Sequence, residues 1–204
     1  MSARDDVLAA VRSALGPARR PDVPVDRSYR ARRGDAAGWD RAALADLFAE
    51  RVADYGAVVT RCGAAGLERE VVTALGTSAR VLVPEGIWLD IPRSVPDRGL
   101  TPQDLDTVDA VVTTATLGIA ETGTIVLTHG SGEGRRALTL VPDLHVCVVR
   151  EGQVVPGVVE AVAALDPGRP QTWVSGPSAT SDIELSRVEG VHGPRRLHVV
   201  LVAG

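Results

Sequence analysis

The sequence predicts an α/β fold, a three-layer sandwich in which helices cover both faces of a mostly parallel sheet. Short runs of β-branched and other apolar residues alternate along the chain with amphipathic helical segments, a pattern typical of strand–helix units. Several of these runs are apolar on both faces, residues 144–149 and 197–202 among them. Such strands are typical of a sheet that is buried on both sides.

The individual strands are predicted from their apolar and β-branched runs. They are expected at residues 57–61, 80–83, 108–114, 124–128, 144–149, 172–174 and 197–202, with a short extended segment at 152–155. The strands at 108–114 and 124–128 are too close in sequence for a helical crossover between them. We therefore expect this pair to be antiparallel or to lie in two different sheets.

The helices are predicted from apolar residues at helical spacing and from the residues that begin or end a helix. Asp40 is a capping residue, Gly56 and Gly76 each end a segment, and Thr101 followed by Pro102 begins a single turn. Helical segments are expected at residues 3–15, 40–55, 64–76, 101–104, 136–141, 157–165 and 180–187.

The chain of 204 residues is long enough for one well-buried domain with a tail. Residues 17–38 are rich in Arg, Pro, Asp and Gly and have no sustained periodicity, which favours an extended arm or a disordered segment. The arginines of this segment are interspersed with Asp, so a solvated tail is favoured over a contact with an acidic partner or nucleic acid. The sequence thus predicts an N-terminal helix and Arg/Pro-rich arm at 1–39 and an α/β domain at 40–204.

The composition excludes several classes of function. The net charge is −4, so no general attraction to nucleic acid or to an anionic membrane is expected. All 22 basic residues are arginine and lysine is absent. A Schiff-base lysine and the lysine of a phosphate-binding Walker loop are therefore impossible, and any catalytic base must come from Asp, Glu, His or Cys.

Metal and cofactor ligands are scarce. Cys62 and Cys147 are the only cysteines, each within an apolar run, and no Cys-x-x-Cys motif is present. The four histidines have no zinc-ligand spacing. We expect the chain to bind no cofactor by itself, least of all an iron–sulfur cluster. The acidic start lacks a signal-peptide core and no apolar run could span a bilayer, so a cytoplasmic protein without a membrane span is expected.

Glu121 is the leading candidate for catalysis. It lies in a loop between two predicted strands, preceded by Gly118 and followed by Thr122 and Gly123. One interpretation is a nucleophile or general base held at the end of a strand, with the neighbouring residues as ligand contacts. The alternative is an acid that accepts hydrogen bonds from loop N–H groups or lies on the surface. Glycine on each side indicates a backbone geometry that other residues tolerate poorly.

A glycine-rich loop follows the second of these strands. Gly130 and Gly132 alternate with other residues, and Arg135 and Arg136 come soon after. Alternate glycines let successive N–H groups point into one concavity, so a small anionic ligand is a candidate, with either arginine as a bidentate clamp. The alternative is a flexible hairpin tip with solvated arginines. A dinucleotide fingerprint is excluded because its third glycine would fall at Arg135.

A third polar segment follows the strand at 172–174. Ser178, Thr180 and Asp182 offer two hydroxyls and a carboxylate, which could bind a polar ligand or cap a following helix. Ser178 has no partner at the spacing of a serine-hydrolase triad. His192 lies in a predicted turn, where a structural hydrogen bond is favoured over a role in proton transfer.

These segments are predicted to form one crevice. In α/β sheets the loops at the carboxyl ends of strands gather around the ligand, so Glu121 and residues 178–182 are expected to share a pocket. The glycine loop lies at the other end of the strand at 124–128, roughly 17 Å away at strand rise. Its membership of the same pocket would require that strand to bend or to be very short.

The order and spacing of these motifs, over residues 40–203, resemble the LUD domain family of lactate-utilisation C proteins. The segments that carry the resemblance are 118–124 (Gly-Ile-Ala-Glu-Thr-Gly-Thr), 135–142 (Arg-Arg-Ala-Leu-Thr-Leu-Val-Pro), 175–178 (Ser-Gly-Pro-Ser) with Thr180, Asp182, Ile183 and Glu184, and 190–194 (Gly-Val-His-Gly-Pro). The resemblance implies a fold similar to that of ribose-phosphate isomerases, glucosamine-phosphate deaminases and CoA transferases. It identifies no catalytic residue, although Glu121 is similar in type and setting to the nucleophilic glutamate of CoA transferases.

The resemblance also implies a function. Members of the family belong to bacterial systems that oxidise lactate to pyruvate, beside an iron–sulfur partner and a partner with cysteine-rich repeats. The chain is therefore expected to be a non-redox subunit of such a system, with the iron–sulfur clusters on its partners. Two alternatives remain open. One is a stand-alone transferase or isomerase that uses Glu121 on a CoA-linked or phosphorylated small acid, and the other is a scaffold with a vestigial pocket.

Overall fold

The computed structural model describes residues 2–16, 24, 40–180, 188–190 and 192–204. Two compact units divide the chain, Met1–Ala31 and Arg32–Gly204. In the first unit, helix α1 (Ala3–Leu15) begins at Ser2, whose hydroxyl accepts from the N–H of Asp5 in a capping box. The predicted N-terminal helix is confirmed. Apart from Pro24, the predicted arm at 17–38 lies outside the described residues.

The described part of the second unit contains twelve strands. In chain order they are β1 (Val58–Gly63), β2 (Val81–Val83), β3 (Ser94–Pro96), β4 (Ala110–Thr114), β5 (Leu117–Ile119), β6 (Thr124–Leu127), β7 (Leu144–Arg150), β8 (Val154–Val155), β9 (Thr172–Val174), β10 (Ala179–Thr180), β11 (Val188–Glu189) and β12 (Arg196–Ala203). Every strand predicted from the sequence is present, while β3, β5, β10 and β11 were not predicted. β5 contains Gly118 and β3 ends at a proline, so neither has the β-branched run that marked the others.

The α-helices described in this unit begin and end within three residues of the predicted bounds. They are α2 (Arg41–Asp54), α3 (Leu67–Leu75), α4 (Pro102–Leu105) and α5 (Val158–Ala164), with 3-10 turns at Ala64–Gly66, Arg136–Thr139 and Glu151–Gln153. The Asp40 side chain accepts from the N–H of Ala42 at the start of α2. Gly76 ends α3 with φ +55°, in the left-handed region. The turns expected at 136–141 are a single 3-10 segment.

The main sheet has six parallel strands in the order β1-β12-β7-β4-β2-β3. Its two faces are buried, which explains the continuous apolar runs in its central strands. On one face, Leu67, Val71 and Leu75 of α3 pack against β2, β4, β7 and β12. On the other, α2 packs through Phe48 and Val52 into a core that also includes β6, β7 and β12. The α/β class with a parallel sheet is confirmed.

A second sheet of four strands, in the order β8-β5-β6-β9, lies over that same face. The sheet is mixed: β5 pairs with β8 in parallel, and β6 pairs antiparallel with both β5 and β9. The chain therefore changes sheets between β4 and β6, which was one of the two outcomes expected for the short connection. Helix α5 covers the outer face of this second sheet through Ala161, beside Leu165.

Strands β10 and β11 form a separate antiparallel pair, with Ala179 opposite Glu189 and Thr180 opposite Val188. The helix expected at 180–187 falls almost entirely on residues 181–187, which lie outside the described residues. Among the residues that the structure describes, no helix has the length and apolar character needed to cross a membrane.

Candidate functional site

Seven of the predicted site residues line three separate cavities: Glu121, Thr122, Gly130, Arg135, Arg136, Ser178 and His192. Gly118, Gly123 and Gly132 line none of the three. The inter-sheet cavity lies beside the first residues of β7 and β12 and against β9, and it holds about 180 Å³. The glycine-loop cavity holds about 660 Å³ and follows the last residues of β2 and β3. The third cavity, beside the end of α2, holds about 320 Å³.

The inter-sheet cavity brings together three of the predicted residues, Arg136, Ser178 and His192. Its other polar lining residues are Thr139, His145, Thr172 and Ser175. The Ser178 hydroxyl accepts from the N–H of His192 at 3.1 Å, so one of its interactions holds two loops together. Thr180 lies in β10, and Asp182 is outside the described residues, as are its neighbours on both sides.

His145 is the most buried of the polar residues that line this cavity, and it was not predicted as a site residue. It is the second residue of β7 and only 2% exposed. Its Nε2 is 2.8 Å from the hydroxyl of Thr113 on the neighbouring strand β4. Burial lowers the pKa of His145 to about 4, because the imidazolium ion would lose its hydration. At neutral pH the ring is therefore uncharged, with one nitrogen as donor and the other as acceptor.

Arg136 lines the inter-sheet cavity and is exposed. Within the described ranges, the guanidinium of Arg136 has no carboxylate within ion-pair distance and no hydrogen-bond acceptor. Its neighbour Arg135 differs, because its Nε and a terminal nitrogen bind the two carboxylate oxygens of Asp97 at 2.8 and 3.1 Å. That pairing lowers the pKa of Asp97. Of the two arginines, Arg136 is the one without a side-chain partner in the part of the chain that the structure describes.

The glycine loop, residues 129–134, already holds an anion of the protein itself. Glu133 is 4% exposed, and its Oε2 accepts from the N–H groups of Thr128 (2.7 Å) and Gly130 (3.3 Å). Its Oε1 accepts from the Thr116 hydroxyl at 2.6 Å. The N–H of Gly132 donates to the carbonyl of Glu85. The N–H groups of Gly130 and Gly132, which were predicted to bind an external ligand, thus donate to acceptors of the protein itself. Gly130 also lines the adjoining cavity.

His129 joins two of the cavities. It has φ +59°, unusual for a residue with a side chain. Its Nδ1 is 3.0 Å from the Gly134 carbonyl and its Nε2 is 2.9 Å from the Thr172 hydroxyl. His129 lines the glycine-loop cavity and Thr172 lines the inter-sheet cavity, so this hydrogen bond forms part of the wall between them. Left-handed backbone held by two hydrogen bonds is typical of a constrained functional region.

Glu121 and Thr122 line the third cavity, together with Arg51, Asp54 and Tyr55 of the α2 region. The Glu121 side chain is exposed, and its N–H donates to the Pro156 carbonyl. The structure does not bring Glu121 into the cavity that Ser178 lines. Hydroxyl groups connect the Glu121 loop to the segment that contains Ser178. The Thr124 hydroxyl is 2.7 Å from that of Thr122 and 2.8 Å from that of Ser175.

The two glycines beside Glu121 are required by packing against α2. A Cβ on Gly118 would lie 2.9 Å from the Phe48 ring. Gly123 has φ +58°, and a Cβ there would lie 2.5 Å from the Arg51 carbonyl carbon. The special backbone geometry predicted around Glu121 is confirmed at Gly123, but its observed cause is the close approach of a helix.

The free energy of unfolding should fall by about 2 kcal/mol through His145 alone when the pH is lowered from 8 to 5. The folded state keeps this ring neutral down to a pKa of about 4, while the unfolded chain binds the proton below the ordinary 6.5. The stabilisation is therefore complete above pH 6.5 and is lost as the pH falls towards 4. Urea titrations at pH 8, 6 and 5 measure it.

The matched control for this prediction is His145→Gln, which removes the titrating group. Burial also lowers the pKa of His198, which remains in the variant, so the variant should lose most but not all of the slope. Asp97 and Asp109 have lowered pKa values, so their contribution to the free energy of unfolding is lost only in more acidic solution. An unchanged slope in the variant would contradict the assignment to His145.

The fold and the cavities define an α/β protein with a parallel main sheet, a second mixed sheet and a partly polar cavity that lies against strands of both sheets. The chain belongs to the LUD domain family, whose model matches residues 40–202. Lactate utilization protein C of Deinococcus radiodurans is 53% identical over 173 residues, which cover 79% of this chain and 81% of that protein. Lactate utilization protein C of Bacillus pumilus is 38% identical over 41% of this chain and 38% of that protein.

A solved structure supports the same assignment. The crystal structure of a DUF162 family protein from Deinococcus radiodurans matches with a TM-score of 0.69 and 44% sequence identity. The match covers 80% of this chain and 99% of that chain. The family resemblance drawn from the sequence is thereby confirmed.

Proposed function

We propose that this chain acts in bacterial lactate utilisation, as a cytoplasmic, non-redox subunit of a system that oxidises L-lactate to pyruvate. The observation that carries the proposal is the 53% identity with Lactate utilization protein C of Deinococcus radiodurans over most of both chains. The match of the LUD domain model to residues 40–202 supports it over the whole α/β domain.

The cysteines support the non-redox assignment. Iron–sulfur clusters are commonly held by four thiolates, and this chain has two cysteines. Cys147 is fully buried in the core, and burial raises the pKa of its thiol to about 12. Cys62 lies on β1 and packs with the cluster on the opposite face of the main sheet. We therefore place the electron-carrying clusters on iron–sulfur and cysteine-rich partner subunits.

Deleting the gene should abolish growth on L-lactate and leave growth on glucose unchanged. The physical reason is that a subunit without a redox group is still required if it completes the oxidising complex or its substrate site. The measurement is the growth rate of the deletion strain, with and without a plasmid copy of the gene. If the deletion strain grew on lactate as fast as the same strain with the plasmid copy, the proposal would be contradicted.

The alternative is a stand-alone enzyme that acts on a CoA-linked or phosphorylated small acid with Glu121 as nucleophile or base. The observation that favours it is the position of Glu121, an exposed carboxylate at a cavity of about 320 Å³. Purified protein should then turn over an acyl-CoA or sugar phosphate, and Glu121→Gln should abolish that activity. Full growth on lactate by a Glu121→Gln strain would leave Glu121 without a role in lactate use, as a scaffold also predicts.

A further inference from the structure

We infer that the inter-sheet cavity binds a small 2-hydroxy or 2-oxo monocarboxylic acid, with Arg136 on the carboxylate and His145 on the oxygen at C2. The choice of this class of acid rests on the proposed function, and the contacts are those that the residues lining the cavity can make. Arg136 and His145 both line this cavity, together with the loop that contains Ser178.

The contrast between Arg136 and Arg135 indicates an external anion. Arg135 is the N-cap residue and Arg136 the first residue of the same 3-10 segment, and both side chains are exposed. Arg135 binds Asp97 with two hydrogen bonds, while Arg136 has no side-chain partner among residues that the structure describes. A guanidinium group presents parallel N–H donors that match the two oxygens of a carboxylate. An exposed arginine that lines a cavity, and that has no partner among the described residues, is suited to hold such a group.

His145 offers a neutral contact deeper in the same cavity. Its Nε2 is held by the Thr113 hydroxyl at 2.8 Å, and its Nδ1 has no hydrogen-bond partner within the described ranges. The pKa of the ring is lowered to about 4 by burial, so it carries no charge at neutral pH. A neutral imidazole can donate to a carbonyl oxygen or accept from a hydroxyl, according to its tautomer. Both groups occur at C2 of the proposed acids.

The size and the remaining lining of the cavity fit a short acid. A volume of about 180 Å³ equals that of roughly six water molecules, at about 30 Å³ each. A three-carbon hydroxy acid has six non-hydrogen atoms. Leu140, Val174, Pro177 and Leu197 line the cavity beside the polar groups and provide apolar contacts for a methyl group.

Calorimetric titration of the full chain with L-lactate, pyruvate and propionate tests the inference. Lactate or pyruvate should bind, and Arg136→Gln should weaken that binding at least tenfold. Propionate has the carboxylate and methyl group but no oxygen at C2, so it should bind at least fivefold more weakly than lactate. This comparison tests His145 without altering a buried residue.

The matched control is Arg135→Gln, which alters the adjacent arginine at the glycine-loop cavity and should leave binding within twofold of the wild type. Failure of both acids to bind at millimolar concentration would overturn the inference, as would equal binding by Arg136→Gln. Equal affinity for propionate and lactate would overturn the role of His145. If neither acid binds but growth on lactate requires the chain, the inference fails and the proposed function stands. If one of the acids binds but growth on lactate does not require the chain, the inference stands and the proposed function fails.

Discussion

Replacing Glu133 with alanine should lower the free energy of unfolding by about 3 kcal/mol. Glu133 is the acceptor for the N–H groups of Thr128 and Gly130, and it also accepts from the Thr116 hydroxyl. The hydroxyls of Thr116 and Thr128 are 2.8 Å apart and still have each other as partners in the variant. Most of the lost stability should therefore come from the two backbone N–H groups, which lose their acceptor. A buried N–H without an acceptor costs about 1 to 3 kcal/mol.

Urea denaturation measures this loss, as a lower midpoint with an unchanged slope. The matched control is Glu85→Ala, which removes an exposed carboxylate at the adjoining cavity and should change stability by less than about 0.5 kcal/mol. Glu133→Gln keeps one oxygen that can accept from the two N–H groups. Its free energy of unfolding should lie between those of Glu133→Ala and Glu85→Ala. Equal stability of the alanine variants at 85 and 133 would show that the loop does not depend on the Glu133 carboxylate.

Much of the fold could be predicted because its signals are local. The strands of the main sheet have apolar runs with β-branched residues, and the caps at Asp40 and Thr101 have the side chains that such positions favour. The second sheet could not be assembled in the same way. Its strand β5 has three residues and a glycine, and its pairing with β8 joins segments more than thirty residues apart. Pairing at that distance is set by tertiary contacts, which a local pattern does not reveal.

The site was harder to predict than the fold. The glycine loop was predicted as a cradle for an external anion. In the structure the N–H groups of Thr128 and Gly130 donate to Glu133, which lies within the loop itself. Its sequence signal was present, since Glu133 lies between two glycines. His145 was overlooked because it is the second residue of an apolar strand, where its position beside a cavity depends on β9 and on the loop that precedes β12.

The grouping of Glu121 with Ser178 was expected because both follow strands. The expectation assumed one sheet, in which the carboxyl ends of the strands share an edge. In the structure Glu121 joins two strands of the second sheet, whereas the inter-sheet cavity lies at the amino ends of β7 and β12 in the main sheet. The change of sheet between β4 and β6 therefore separates the two candidates into different cavities.

Replacing Gly123 with alanine should lower the free energy of unfolding by about 4 kcal/mol. Alanine in the left-handed region costs about 1 to 2 kcal/mol, and Gly123 has φ +58°. The added Cβ would also lie 2.5 Å from the carbonyl carbon of Arg51 and 2.7 Å from the nitrogen of Val52. Because these are backbone atoms of α2, a helix must shift, and such overpacking costs a further 1 to 3 kcal/mol or so.

Gly76→Ala is the matched control for this substitution. Gly76 has nearly the same φ, +55°, but a Cβ there would meet nothing within 4 Å. With ψ −121° it lies outside the left-handed helical well, so the variant should show a conformational cost alone, about 1 to 3 kcal/mol. The difference between the two variants in urea denaturation isolates the contact of the Glu121 loop with α2. If the two variants lost the same stability, the loop would not be held against α2, and the position of Glu121 in the third cavity would have to be explained by other contacts.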